Sequence, residues 1–132
     1  MTTFSNRLQQ DVYEAHKKMG HPTTLFPAVI DDELMCFRNE LHQEEGEELE
    51  KAMGEGDLAA IADGIADLIY VLMGTAVCYG IDMQPVWDEV HRANMAKQPN
   101  TEGKFIKPPG WNPPQIHRII KEQSLKATKG CE

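Results

Sequence analysis

The sequence predicts an all-α fold: a bundle of four to five helices, then an extended, proline-rich C-terminal loop and a short last helix. Three observations predict it. Apolar residues recur at helical spacing from the N-terminus to about Lys97. Ser, Asn or Asp stands at the head of each such stretch, and glycine follows the first three. No run of useful length alternates apolar and polar residues as a strand does.

Ser5 or Asn6 caps a first helix that runs to about Lys18, with Leu8, Val12, Ala15 and Met19 at helical spacing. Gly20-His21-Pro22-Thr23-Thr24 ends it, and a loop containing Pro27 follows. Asp31 or Asp32 caps a second helix, whose apolar positions include Leu34, Phe37, Leu41 and Leu49. It runs to Met53, where Gly54-Glu55-Gly56 breaks it. Asp57 caps a third helix, Leu58 to Tyr79, stopped by Gly80. Ile61, Ile65, Leu68, Ile69, Val71, Leu72 and Val77 make it apolar almost all round, which predicts a central position. Asp82 caps a fourth helix with Pro85 in its first turn, ending near Ala96 or Lys97.

Beyond Lys97 the composition changes. Gln98 to Pro114 holds five of the eight prolines and few periodic apolar residues, and reads as an ordered, extended loop in which Phe105, Ile106 and Trp111 have something to bury. Pro113-Pro114 opens a short helix to about Gln123, and the tail from Ser124 is expected to fray. The 132 residues read as one domain: a core over about 5–97, the loop and short helix over 98–123, and a tail over 124–132.

A net charge of -8 argues against a general nucleic-acid binder, which needs clustered Lys and Arg. Acidic proteins bind nucleotides when metal ions bridge the two negative partners. Three cysteines without CxxC spacing (Cys36, Cys78 and Cys131) argue against a disulfide framework or zinc site and fit a reducing cytoplasm. Cys36 and Cys78 are expected to be buried thiols. The N-terminus lacks the apolar run of a signal peptide, and Asp63 and Asp67 make the longest apolar stretch a poor membrane span.

Two acidic clusters carry the chemistry. Glu44, Glu45 and Glu48 fall within a ~100° arc of the second helix. Asp63 and Asp67 lie one turn apart on the third. Glu40, Glu47 and Glu50 read as solvated. Asp63 and Asp67 are harder to explain that way, because their neighbours are apolar and a buried, unpaired charge is costly. No Lys or Arg lies between Gly54 and Ile81, so compensation must come from outside the helix. An ion pair to Arg38, Arg92 or Lys97 is one option. The other is Mg2+ or Mn2+, which take oxygen ligands and share substrate phosphates.

With both clusters on the page, Arg38 to Gly80 resembles the MazG-like, all-α nucleoside triphosphate pyrophosphohydrolases, a superfamily that includes dimeric dUTPases and phosphoribosyl-ATP pyrophosphohydrolases. Its signature is Glu-x-x-Glu on one helix and Glu-x-x-Asp on the next. Glu45-Gly46-Glu47-Glu48 matches the first half, with Glu44 as an additional preceding Glu, and Asp67 matches the last ligand. Gly64 stands where the second-motif Glu is expected; Asp63 is the natural substitute. His91-Arg92-Ala93-Asn94-Met95-Ala96-Lys97, Gly103-Lys104 and Lys107-Pro108-Pro109-Gly110-Trp111 resemble the tail of small stand-alone bacterial and phage members, so the resemblance covers roughly Asp11 to Ile120.

The resemblance implies hydrolysis of a nucleoside triphosphate between the α and β phosphates, giving the monophosphate and pyrophosphate. It implies Glu44, Glu45, Glu48, Asp63 and Asp67 around Mg2+ or Mn2+, with Glu44 the candidate general base. Tyr70, Asn94, Lys97, Lys104 and Lys107 are the candidate substrate contacts. It further implies a homo-oligomer, a tetramer built as a dimer of dimers, in a bacterial or phage-infected cytoplasm. A deoxynucleotide is the expected substrate, a purine such as dGTP among them. Three rivals stand beside this reading: a dUTPase- or phosphoribosyl-ATP-type hydrolase on the same scaffold, a non-catalytic metal-binding helical module, and a purely structural oligomerisation bundle.

Overall fold

The computed structural model describes residues 2–130. Its elements are α1 (Arg7–Met19), α2 (Asp32–Glu55), α3 (Leu58–Tyr79), α4 (Met83–Met95), β1 (Gln98–Pro99), β2 (Phe105–Ile106) and α5 (Ile116–Gly130). The predicted caps are in place. Asn6, Asp31, Asp57 and Asp82 each accept a backbone N–H in the first turn of α1 to α4. Gly20, Gly56 and Gly80 close α1 to α3 in the left-handed conformation. At Gly80 the requirement is double: φ is +68°, and a side chain there would also strike the Phe26 backbone.

The C-terminal third departs from the expectation. The loop carries a two-stranded antiparallel ribbon, Gln98 pairing with Ile106 and Pro99 with Phe105. Phe105 and Ile106 are exposed rather than buried. The last helix does not fray after Gln123 but continues to Gly130. It is tied to the start of α4 by Gln123, whose side chain accepts from the Asp82 N–H and donates to the Asp82 carbonyl.

α3 lies against both α1 and α2, while α4 packs principally against α5. The buried core is Phe4, Val12 and Val77, with Tyr13 and Met73 against it. Gln9 is wholly buried and staples α1 to the α3–α4 junction, donating to the Ile81 carbonyl and accepting from the Met83 N–H. α3 is central, as expected, but not enclosed: Ile65, Ile69, Tyr70 and Leu72 are each more than a third exposed within the chain. By length and hydropathy α3 qualifies as a membrane-crossing helix in spite of its two aspartates, and 28% of its most apolar stretch is buried. Cys78 is buried as expected. Cys36 is exposed, because none of the described residues covers it. Cys131 lies outside the described residues.

Candidate metal centre and its surroundings

α2 and α3 form a helical hairpin, and the acidic residues meet between them. One carboxylate oxygen from each of Glu45, Glu48 and Asp67 lies within 4.8 Å of the other two. Glu45 and Asp67 are half-buried and Glu48 is exposed. Burial pushes the Glu45 carboxyl above its ordinary range. The charges of Glu48, Asp67, Glu44 and Asp63 push in the same direction, so all five predicted carboxylates act on one locus.

The Glu45 Oε2 atom is buried and has no hydrogen-bond partner. A carboxylate with an orphaned oxygen, clustered with two further carboxylates, is an arrangement that a cation relieves, and an all-oxygen donor set suits Mg2+ or Mn2+. Among the described residues, no protein cation fills that role. Arg38 hydrogen-bonds Thr75 and Val71 on α3, Arg92 pairs with Glu89 at 2.6 Å, and the Lys97 ammonium lies over Trp111. The residues present therefore fit a divalent ion, with Glu45, Glu48 and Asp67 as its nearest donors and Glu44 and Asp63 around them.

Gly64 has a clear structural role. A Cβ there would stand 3.2 Å from the Leu49 Cα. The position is the close contact between α2 and α3, and a longer side chain would drive the two helices apart.

Among the described residues, none of the predicted lysine contacts forms an ion pair with the carboxylates within one chain, and Tyr70 stands three residues beyond Asp67 on α3. Lys97 and Lys107 place their ammonium groups 5.2 and 5.1 Å from the centre of the Trp111 ring. Trp111 donates from Nε1 to the Ala93 carbonyl, so the three residues fasten the loop to α4. Lys104 is exposed in the ribbon turn, and Asn94 is half-buried near the end of α4. Tyr70 is neither core nor clearly a site residue: it is 48% exposed beside the α1–α3 groove.

Sequence reasoning passed over a second polar cluster on the same hairpin. Arg38, only 6% exposed, donates from Nε to Thr75 Oγ1 at 3.1 Å and from Nη2 to the Val71 carbonyl. His42 Nε2 lies 2.6 Å from the same hydroxyl. His16 packs beside them, its Nδ1 2.9 Å from the Pro22 carbonyl. Burial lowers the pKa of both histidines. The arrangement requires Gly74, since a side chain at that position would collide with the Arg38 guanidinium and with His16 Nε2. Arg38, Gly74 and Thr75 fall at no recognisable chemical spacing, so no local signal marks them.

An all-α hairpin with clustered carboxylates between its helices defines the class: a helical bundle with an acidic site. Residues 12–94 match the family described as phosphoribosyl-ATP pyrophosphohydrolase, and the chain belongs to that family. Its members are hydrolases of phosphoanhydride bonds, related to the MazG-like enzymes. The match runs from Val12 within α1 through α4 to Asn94 and leaves out the start of α1, the ribbon and α5. The chain is also 34% identical over 91 residues to an uncharacterized protein of Acanthamoeba polyphaga mimivirus. That similarity covers 63% of this chain and 36% of the viral protein, so the chain spans about a third of that relative's length.

Proposed function

We propose that the chain is a metal-dependent nucleoside triphosphate pyrophosphohydrolase, releasing pyrophosphate and a monophosphate, with a deoxynucleotide such as dGTP among its substrates. The observation that carries this reading is Glu45, which has one buried oxygen without a partner and clusters with Glu48 and Asp67, in a bundle whose family cleaves phosphoanhydrides. Glu45, Glu48 and Asp67 hold Mg2+ or Mn2+, with Asp63 beside them. A bound ion neutralises triphosphate charge and makes water more acidic. Water then adds across the α–β phosphoanhydride, the bridging oxygen departs with pyrophosphate, and a carboxylate takes the proton. Glu44 is the proposed base, since it is exposed and adjoins the cage.

The site is completed in an oligomer, a tetramer built as a dimer of dimers. Two observations support this: the exposed apolar face of α3, and Lys97 and Lys107 lying over Trp111 rather than in an ion pair with the carboxylates. A monomer mass in light scattering at micromolar concentration overturns it. A second reading is favoured by the family description itself: hydrolysis of phosphoribosyl-ATP on the same cage. Pyrophosphate release decides between them, measured on the common NTPs and dNTPs and on phosphoribosyl-ATP, with Mg2+ or Mn2+ and Glu48→Gln as control. Metal-dependent release from triphosphates, lost in the variant, supports the first reading; turnover of phosphoribosyl-ATP alone supports the second. No release from any substrate, with manganese bound, leaves a non-catalytic metal-binding module.

A further inference from the structure

α2 has 24 residues, and its buried ones are Arg38 and Ala52. They stand seven positions before and after Glu45, about two turns each way, and so share its face of the helix. α3 is the helix against which α2 chiefly packs. Near Ala52, Gly64 of α3 lies against Leu49, where an added Cβ would stand 3.2 Å from the Leu49 Cα. At the other end, Arg38 donates from Nε to Thr75 Oγ1 at 3.1 Å and from Nη2 to the Val71 carbonyl. His42 Nε2 lies 2.6 Å from the same hydroxyl. Glu45, Glu48 and Asp67 lie between these two contacts.

The middle of the hairpin pushes its helices apart when no cation is bound. Glu48, Asp67, Glu44 and Asp63 all act on Glu45, and one Glu45 oxygen is buried without a partner. The Gly64–Leu49 contact lies close to the α2–α3 turn, so it leaves the first half of α2 as a lever. Arg38 is the buried side chain of that half. Its planar fork spans two acceptors one turn apart on α3, and Gly74 leaves the room it needs.

Arg38 acts on the cluster by position rather than by charge. It lies about 10 Å along α2 from Glu45, at ~1.5 Å of rise per residue. The charges that act on Glu45 are those of the four other carboxylates.

We infer that Arg38, through Thr75 and the Val71 carbonyl, is the positioning residue that holds Glu45 and Glu48 against Asp67, and so sets the affinity of the cluster for metal. The consequence for metal rests on the metal-centre reading above; the positioning does not.

The test titrates manganese into nucleotide-free protein and reads free Mn2+ by electron paramagnetic resonance. It compares wild type, Arg38→Lys, Thr75→Val and Thr75→Ser, with Gln123→Ala as a variant weakened far from the hairpin. Arg38→Lys keeps the charge but not the fork, and Thr75→Val removes the hydroxyl acceptor. Both are expected to raise the Kd for Mn2+ by roughly tenfold, a usual cost of losing support around a metal site. Thr75→Ser should bind like wild type, and Gln123→Ala should melt earlier with its Kd unchanged. Wild-type affinity in both Arg38→Lys and Thr75→Val overturns the inference, as does an equal loss in Gln123→Ala. If Arg38→Lys does not fold by circular dichroism, the Thr75 pair decides. If the wild type binds no manganese, the metal reading falls, and amide exchange of the metal-free proteins decides the positioning. Faster exchange over 38–48 in Thr75→Val, with 49–55 unchanged, keeps Arg38 as the holder of the carboxylates; unchanged or uniformly faster exchange overturns it.

Discussion

Gly64 lies against Leu49 so closely that a Cβ built on it would stand 3.2 Å from the Leu49 Cα and 3.3 Å from its Cδ1. The residue that departs from the expected Glu-x-x-Asp motif therefore sits at a close backbone contact between α2 and α3. Gly64→Glu is expected to weaken the hairpin rather than restore a ligand. The overpacking cost is about 1–3 kcal/mol, visible as a lower thermal midpoint. A variant with an unchanged midpoint and tighter manganese binding would show that position 64 faces the cage after all.

The cage predicts opposite effects of one substitution with and without metal. Without metal, Glu48→Gln or Asp67→Asn relieves repulsion around Glu45, and the melting temperature should rise. With manganese at a hundredfold excess over its Kd, the wild type should gain roughly 2.7 kcal/mol, and the variants should lose most of that gain. The Glu45 pKa is raised, so the folded chain holds that proton more tightly than the unfolded chain. The metal-free protein therefore loses this contribution as pH rises above the ordinary 4.5 and through the raised value. Manganese stabilisation moves the other way, weakening as pH falls through the same range. Differential scanning calorimetry across pH, with EDTA and with manganese, checks both slopes. Identical metal gains in wild type and variants would remove the cage.

Helix ends and the cage were legible in the sequence because their signals are local. Asp57 and Gly80 bound α3 by capping chemistry alone, and helix geometry puts Glu45 and Glu48 on one face of α2, while the α2–α3 packing brings Asp67 to them. Three features were not legible because each depends on a partner distant in sequence. Cys36 is exposed because none of the described residues covers it. The continuation of α5 past Gln123 is anchored through Asp82, forty-one positions away. Lys97 and Lys107 lie over Trp111, a placement that only the fold of the loop sets.

Gly74 should tolerate no side chain. Gly74→Ala displaces the Arg38 guanidinium from Val71 and Thr75 and leaves a buried charge short of acceptors. Against that stands the gain of about 1 kcal/mol from replacing glycine by alanine in a helix. The lost charged hydrogen bonds, at about 1.5–3 kcal/mol each, outweigh it. Urea denaturation should place Gly74→Ala below wild type, whereas Gly54→Ala, with open space around it, should not fall. A Gly74→Ala protein as stable as wild type would mean that Arg38 relocates without cost.

Glu89 controls the loop, and acid should release it. Its carboxylate accepts from Arg92 and from the Gln115 N–H at the start of α5. Arg92 in turn donates to the carbonyls of Asn112 and Pro113. The Arg92 hydrogen bond, helped by Gln115, holds the Glu89 carboxyl down to about 2. A depressed acid contributes stability in full above its ordinary value of 4.5 and loses it as pH falls from there towards 2. Pepsin is active over that window, and exposed Phe105 is a suitable cleavage point. Cleavage near Phe105, normalised to a free peptide of the same sequence, should accelerate in the wild type as pH falls from 4.5 to about 2. Glu89→Gln lacks the ionised acceptor, so its loop should already be cut quickly at the upper end of the window and change little below it. Parallel pH profiles for the two proteins would show that the Trp111 clamp, rather than Glu89, holds the loop in place.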